Sequence, residues 1–183
     1  MTRRRFVAID LPGSLQEILG RLNPNIRGVR WTKSDQMHLT LAFFEHVPDE
    51  IDQKFLERLA TIEFGAFFLP IFGLGSFPPK GIPKIIWIGV AGGHPHLFQI
   101  YKRVQEAALA AGLEPELRPW HPHITLARCH SANPAEVKKF LKQNVELDAG
   151  KIRVKEFYLY SSELTTAGPT HTRELTVSCS GGL

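Results

Sequence analysis

Apolar and polar positions along this chain switch between two periods. Residues 5–11, with Phe6, Val7, Ala8, Ile9 and Leu11, read as a buried strand. Leu15, Ile18, Leu19 and Leu22 then recur at i, i+3, i+4 and i+7, which predicts an amphipathic helix with Ser14 as its N-cap, stopped at Asn23-Pro24. Residues 37–45 form a second strand, and Pro48-Asp49-Glu50 opens a helix carrying Ile51, Phe55 and Leu59. Residues 64–74 and 84–90 are strands, and the three prolines and one glycine of residues 76–83 make the segment between them an irregular loop.

The second half repeats this grammar. Leu97, Ile100, Tyr101, Val104 and Ala108 mark a helix that ends at Gly112, with His94 at its start. Residues 121–128 form a strand, and Asn133-Pro134 caps a short helix with Val137, Phe140 and Leu141. Residues 151–160 and 170–179 are terminal strands. The order β-α-β-α-β-β-α-β-α-β-β predicts an α+β protein, one domain over residues 1–183 built of two similar lobes.

Composition narrows the function classes. At 43% hydrophobic and 22% charged, the chain is neither a disordered tail nor a fibrous repeat. A formal charge of +4 permits an anionic partner without demanding one. Apolar runs are too short for a transmembrane helix, so no membrane partner is expected. The start, Met1-Thr2-Arg3-Arg4-Arg5, resembles a signal n-region, but Asp10, Pro12 and Gly13 cut the following apolar stretch too short. Cys129 and Cys179 read as two thiols in a reducing cytoplasm.

Two tetrapeptides carry the chemistry. His38-Leu39-Thr40-Leu41 and His123-Ile124-Thr125-Leu126 share the pattern H-x-T-L. From the composition one copy is expected about 0.05 times, and two unrelated copies roughly once in a thousand such chains. Internal duplication is the better account. On a strand, residues i and i+2 share a face. His38 and Thr40 therefore project together, as do His123 and Thr125, while the Leu and Ile positions turn into apolar packing. If the strands lie side by side about a pseudo-twofold, two imidazoles and two hydroxyls converge on one cleft. Phosphodiester cleavage without a metal needs that set: one neutral imidazole to take a proton from water and one imidazolium to protonate the leaving oxygen. Threonine hydroxyls can donate to the non-bridging oxygens as they gain charge.

The paired motifs resemble the two-histidine phosphoesterase superfamily. Arg5-Phe6-Val7-Ala8-Ile9 is similar to its opening strand, residues 83–90 to its central strand, and residues 121–128 to its second motif. Leu159 to Leu164, followed by Gly168-Pro169, is similar to its C-terminal hairpin. The nearest branch is the bacterial and archaeal RNA 2′,3′-cyclic phosphodiesterases, first described as 2′-5′ RNA ligases. That resemblance implies two pseudo-symmetric lobes with antiparallel sheets lining a central cleft and helices outside. It implies no cofactor or metal, and RNA 3′ ends or nucleotides bearing a 2′,3′-cyclic phosphate as substrate; a monomer is the default expectation. His38 would be the proton donor and His123 the proton acceptor, with Thr40, Thr125 and Arg128 on the phosphate. The product would be a 2′-phosphate, and ligation the reverse reaction. Strict alternation puts Arg128 on the opposite face from His123, so a bulge or strand end is required before it. The family often has a tyrosine after its Gly-Pro, where this chain has His171.

Other readings stand beside this one. His94-Pro95-His96 and His121-Pro122-His123 have metal-ligand spacing, but no Asp, Glu or Cys sits nearby in a ligand-like pattern. A non-catalytic RNA- or nucleotide-binding module on the same fold is a second function class, though binding alone would not require both histidines and both threonines. Trp31 and Trp120 precede the motif strands, where they stack on a base or pack in the core. Lys80 and Lys84 flank the proline-rich loop as candidate phosphate contacts.

Overall fold

A computed structural model describes residues 2–90, 93–114, 116, 118–166 and 168–180. Among the described residues nine strands form one sheet: β1 (Thr2–Asp10), β2 (Val29–Trp31), β3 (His38–Pro48), β4 (Phe67–Phe77), β5 (Ile85–Val90), β6 (His123–Cys129), β7 (Asp148–Val154), β8 (Glu156–Thr165) and β9 (Gly168–Ser178). The helices are α1 (Gly13–Arg21), α2 (Asp49–Ala60), α3 (Pro95–Ala111) and α4 (Pro134–Gln143). Neighbours run β7-β4-β5-β6-β3-β1-β8-β9, with β2 beside β6. All described pairings are antiparallel. Among the described residues no helix is long and apolar enough to cross a membrane.

The path divides at its middle. One half is β9-β8-β1-β3, the other β6-β5-β4-β7, and they meet through a single described bridge, Leu39 opposite Ile124. Both residues are fully buried. Burial of a side chain of this size contributes about 1.5–3 kcal/mol. Leu41 and Leu126 share the buried face, which the helices cover with Leu15, Leu19, Phe55, Leu59, Leu97, Ile100, Val104 and Val137. The opposite face carries the motif histidines and threonines, half-buried.

Several elements differ from the sequence reading. The apolar stretch 151–160 is not one strand. It breaks at Lys155 into β7, on β4, and β8, on β1, which stand in opposite halves. With one residue between them, the sheet has to curl until its two halves meet there; Lys155 also accepts a bond from the Cys179 amide. Alternation is blind to such a break because both pieces keep period two. The three-residue β2 is too short to show a period at all. Ser14 lies inside the first turn of α1; Pro12 is the N-cap, and its carbonyl accepts from the Leu15 and Gln16 amides. Asn133 does cap α4, accepting from the Ala135 amide at 3.0 Å, and Gly112 closes α3 with the left-handed φ of 101° that favours glycine.

Candidate active site

An antiparallel bridge with Leu39 opposite Ile124 sets His38 against Thr125 and Thr40 against His123. The two imidazoles are then diagonal neighbours, a relation that spans about 7–8 Å in a regular sheet. The four sequence-predicted side chains thus occupy one face around one local twofold.

Each histidine is oriented by the same device. His38 Nδ1 lies 2.9 Å from the carbonyl of Gln36, and His123 Nδ1 lies 2.7 Å from the carbonyl of His121. A carbonyl can only accept, so Nδ1 carries hydrogen in both rings and each neutral tautomer leaves Nε2 free as a base. The surroundings differ. His38 stacks on Phe6 at 4.9 Å, and His171 stands edge-on to it at 6.1 Å. His123 stands edge-on to Phe77 at 5.0 Å, with Trp87 and His121 farther out. Burial pushes both imidazoles below the ordinary range; the neighbouring His171 pushes His38 the same way, and the carbonyl bonds oppose the shift in both.

Arg128 reaches the cleft because β6 is irregular. Ala127 pairs with Ile86 and Thr125 with Trp87, which leaves Leu126 as the extra residue. Leu126 and Ala127 are consecutively buried, and Arg128 returns to the face of Thr125. β3 does the same: Ala42 pairs with Val7 and Thr40 with Ala8, leaving Leu41 extra and bringing Phe43 onto the cleft face. Both motifs therefore extend to H-x-T-L-A followed by a cleft residue.

A hollow of about 530 Å³ is lined by His38, Thr40, Thr125, Arg128 and His171. His123 does not line it and stands in the aromatic cluster of the other half. Arg4, Arg30, Lys33 and Phe43 also line the hollow, with no carboxylate among the lining residues. The sequence reading missed these four. Only Arg4 had a signal, the arginine run at residues 3–5, which also looks like a leader. A second hollow, of about 460 Å³, opens near Arg58, Arg103 and Glu106 on α2 and α3 and holds none of the motif residues.

The remaining candidates separate cleanly. Trp120 lies parallel to Tyr101 at 4.1 Å and donates to the Thr40 carbonyl, so it supports β3 from the core side. Trp31 lines the hollow and donates to the Leu19 carbonyl. Lys80 and Lys84 are exposed and outside the lining; Lys84 precedes a strand on which Ile86 and Ile88 are buried, so its parity turns it from the cleft. His94 is the residue before α3, beside His96 and Phe67. Among the described residues no three His, Cys, Asp or Glu side chains converge as a metal site.

Comparison with known proteins gives the family of the chain. The model of the family described as LigT like Phosphoesterase matches twice, over residues 9–87 and 88–171, and each stretch holds one H-x-T-L segment. The RNA 2′,3′-cyclic phosphodiesterase of Aeropyrum pernix is 33% identical over 144 residues, covering 78% of this chain and 82% of its own. The protein of that name from Archaeoglobus fulgidus is 31% identical, covering 92% and 96%. The structure of Escherichia coli LigT complexed with 3′-AMP superposes with a TM-score of 0.79 at 25% identity, over 99% of this chain and all of that one. By the double match of its halves, its similarity to these relatives and its fold, the chain belongs to the LigT like Phosphoesterase family.

Proposed function

We propose that this protein is an RNA 2′,3′-cyclic phosphodiesterase that opens the cyclic phosphate at an RNA 3′ end to a 2′-phosphate. The observation that carries this is the pair of imidazoles, each with Nδ1 tied to a carbonyl two residues earlier, on strands that cross at Leu39 and Ile124. His123, neutral and with Nε2 free, takes a proton from water as its oxygen bonds to phosphorus. The bond from phosphorus to the 3′ oxygen breaks, and His38 gives that oxygen a proton. Thr40 and Thr125 donate to the non-bridging oxygens, and Arg128 adds a charged donor.

His38 holds its proton weakly in the free protein, because burial and His171 both disfavour the cation. A phosphate monoanion in the cleft reverses that balance, so substrate binding itself loads the acid. The same pair run backwards, with a ribose hydroxyl in place of water, joins a 2′-5′ linkage. We place the protein in the cytoplasm, a compartment that keeps Cys129 and Cys179 as free thiols, and take it as a monomer.

The test is product analysis on an RNA oligomer ending in a cyclic phosphate, in the presence of a chelator. A 2′-phosphate product supports the reading. Saturable binding without turnover selects the binding module instead, and activity that vanishes with the chelator and returns with added metal selects a metal-dependent hydrolase.

A further inference from the structure

The arginine run of β1 is divided by strand parity. Arg3 pairs with Asp49 at 3.0 Å; Arg5, almost wholly buried, holds Asp52 with two bonds and Glu174 at 3.0 Å. Arg173, on β9, is paired with Asp10 at 2.8 Å. Arg4 points the other way, into the cleft, where its Nε and Nη1 are buried and have no hydrogen-bond partner among the described residues. Its guanidinium lies over the Phe43 ring, 5.4 Å from the centroid, which fixes the fork without using its hydrogens. His171, also in the lining, has a buried Nδ1 without a partner among the described residues. Unpaired buried donors are costly, and the usual resolution is an acceptor that arrives from outside. No carboxylate lines this hollow.

We propose that Arg4 and His171 form a second anion subsite, which takes the phosphodiester one nucleotide upstream of the cyclic phosphate, so that the preferred substrate is an oligonucleotide rather than a mononucleotide. This rests on the function proposed above. The subsite is separate from the reacting centre: Ala8 pairs with Thr40, and the Arg4 guanidinium lies over Phe43, which pairs with Phe6, two residues or about 7 Å further along the strand. That step is of the order that separates consecutive phosphates in an extended single strand. The two halves differ at this place: the residue after H-x-T-L-A is Arg128 in one half and Phe43 in the other, where its ring serves as the seat of Arg4.

The experiment compares a nucleoside 2′,3′-cyclic phosphate, a dinucleotide ending in one, and the same dinucleotide with its internucleotide phosphate neutralised as a methylphosphonate. Wild-type protein should show a KM at least tenfold lower for the charged dinucleotide than for the neutralised one. Arg4→Met should remove that difference and leave hydrolysis of the mononucleotide unchanged, which also reports that the variant is folded. Arg4→Lys should restore part of the difference. Equal KM for the charged and neutralised dinucleotides in wild type, or an equal loss on all three substrates in Arg4→Met, overturns the subsite. Should wild type hydrolyse none of them, the proposed function fails. Binding of dinucleotide 2′-phosphates, charged and neutralised upstream, then decides the subsite alone: a charge preference that Arg4→Met abolishes keeps it, and no preference discards it.

Discussion

β3 and β6 follow one course for five residues and part at the sixth. Both run histidine, apolar, threonine, leucine, alanine; both bulge at the leucine; both bury the alanine and turn the next side chain back to the cleft. That next residue is Phe43, 48% exposed, in the first half and Arg128 in the second. The neighbouring strands correspond in the same register. Asp10 opposes His38 where Gly89 opposes His123, and Ala8 opposes Thr40 where Trp87 opposes Thr125. A duplicated backbone thus keeps the paired groups while its flanks diverge. On the proposed mechanism, what both halves retain is what acid–base chemistry uses in common, and what differs is free to recognise different parts of one substrate.

The sharpest way to break this comparison is to remove the shared part. His38→Ala and His123→Ala should each lower kcat by about 10²–10⁴-fold, the usual worth of a positioned acid or base. Near-full activity in either variant defeats the paired mechanism.

A second test uses an asymmetry behind the sheet. The first half buries Arg5 in a carboxylate clasp, where the register equivalent in the second half is exposed Lys84. Removing one partner of a buried ion pair leaves an uncompensated charge, so Asp52→Ala and Arg5→Met should each cost about 3–5 kcal/mol in urea unfolding, while the double variant Arg5→Met/Asp52→Leu should cost less than either. A double variant whose loss is the sum of the two single losses would mean that the clasp is held by packing rather than charge.

Third, Arg128→Met should lower kcat/KM by about 10–100-fold, the worth of a charged hydrogen bond at ~1.5–3 kcal/mol. Phe43→Ala, at the matching position, should cost less than about tenfold by loss of packing surface alone. Equal effects would erase the functional difference between the halves.

The smallest effect is on the pH profile. Both imidazoles titrate below their ordinary value of 6.5 in the free protein, because burial disfavours the charged form. The kcat/KM bell should therefore centre below pH 6.5. A bound phosphate anion favours the imidazolium of the donor, so the basic limb of kcat should lie at higher pH than that of kcat/KM. Coincident limbs would show that substrate does not load His38.

Much of the site was legible because strand parity is local. His38 with Thr40 and His123 with Thr125 share faces by period two alone, whatever lies beside them. Arg128 was legible only as a contradiction: its parity was wrong for the cleft, and a bulge was the required remedy. Leu126 supplies it, because burying two consecutive residues against the core outweighs one lost ladder bond. Arg4, Arg30 and Lys33 were not legible, since a cation on a strand or loop looks the same facing solvent or facing a cleft.

By itself the sequence determined the duplicated motif, the side of each strand that carries its polar groups, and an α+β order of elements, all of which follow from residue type and short-range period. Only the tertiary structure decided that the two motif strands pair at Leu39 and Ile124, that residues 148–165 divide at Lys155 between the halves, and that Arg4 alone of its run meets the cleft, its Nε and Nη1 without a partner among the described residues. The physical reason is range: alternation costs nothing beyond neighbouring residues, whereas pairing, bulging and charge compensation depend on partners from distant parts of the chain.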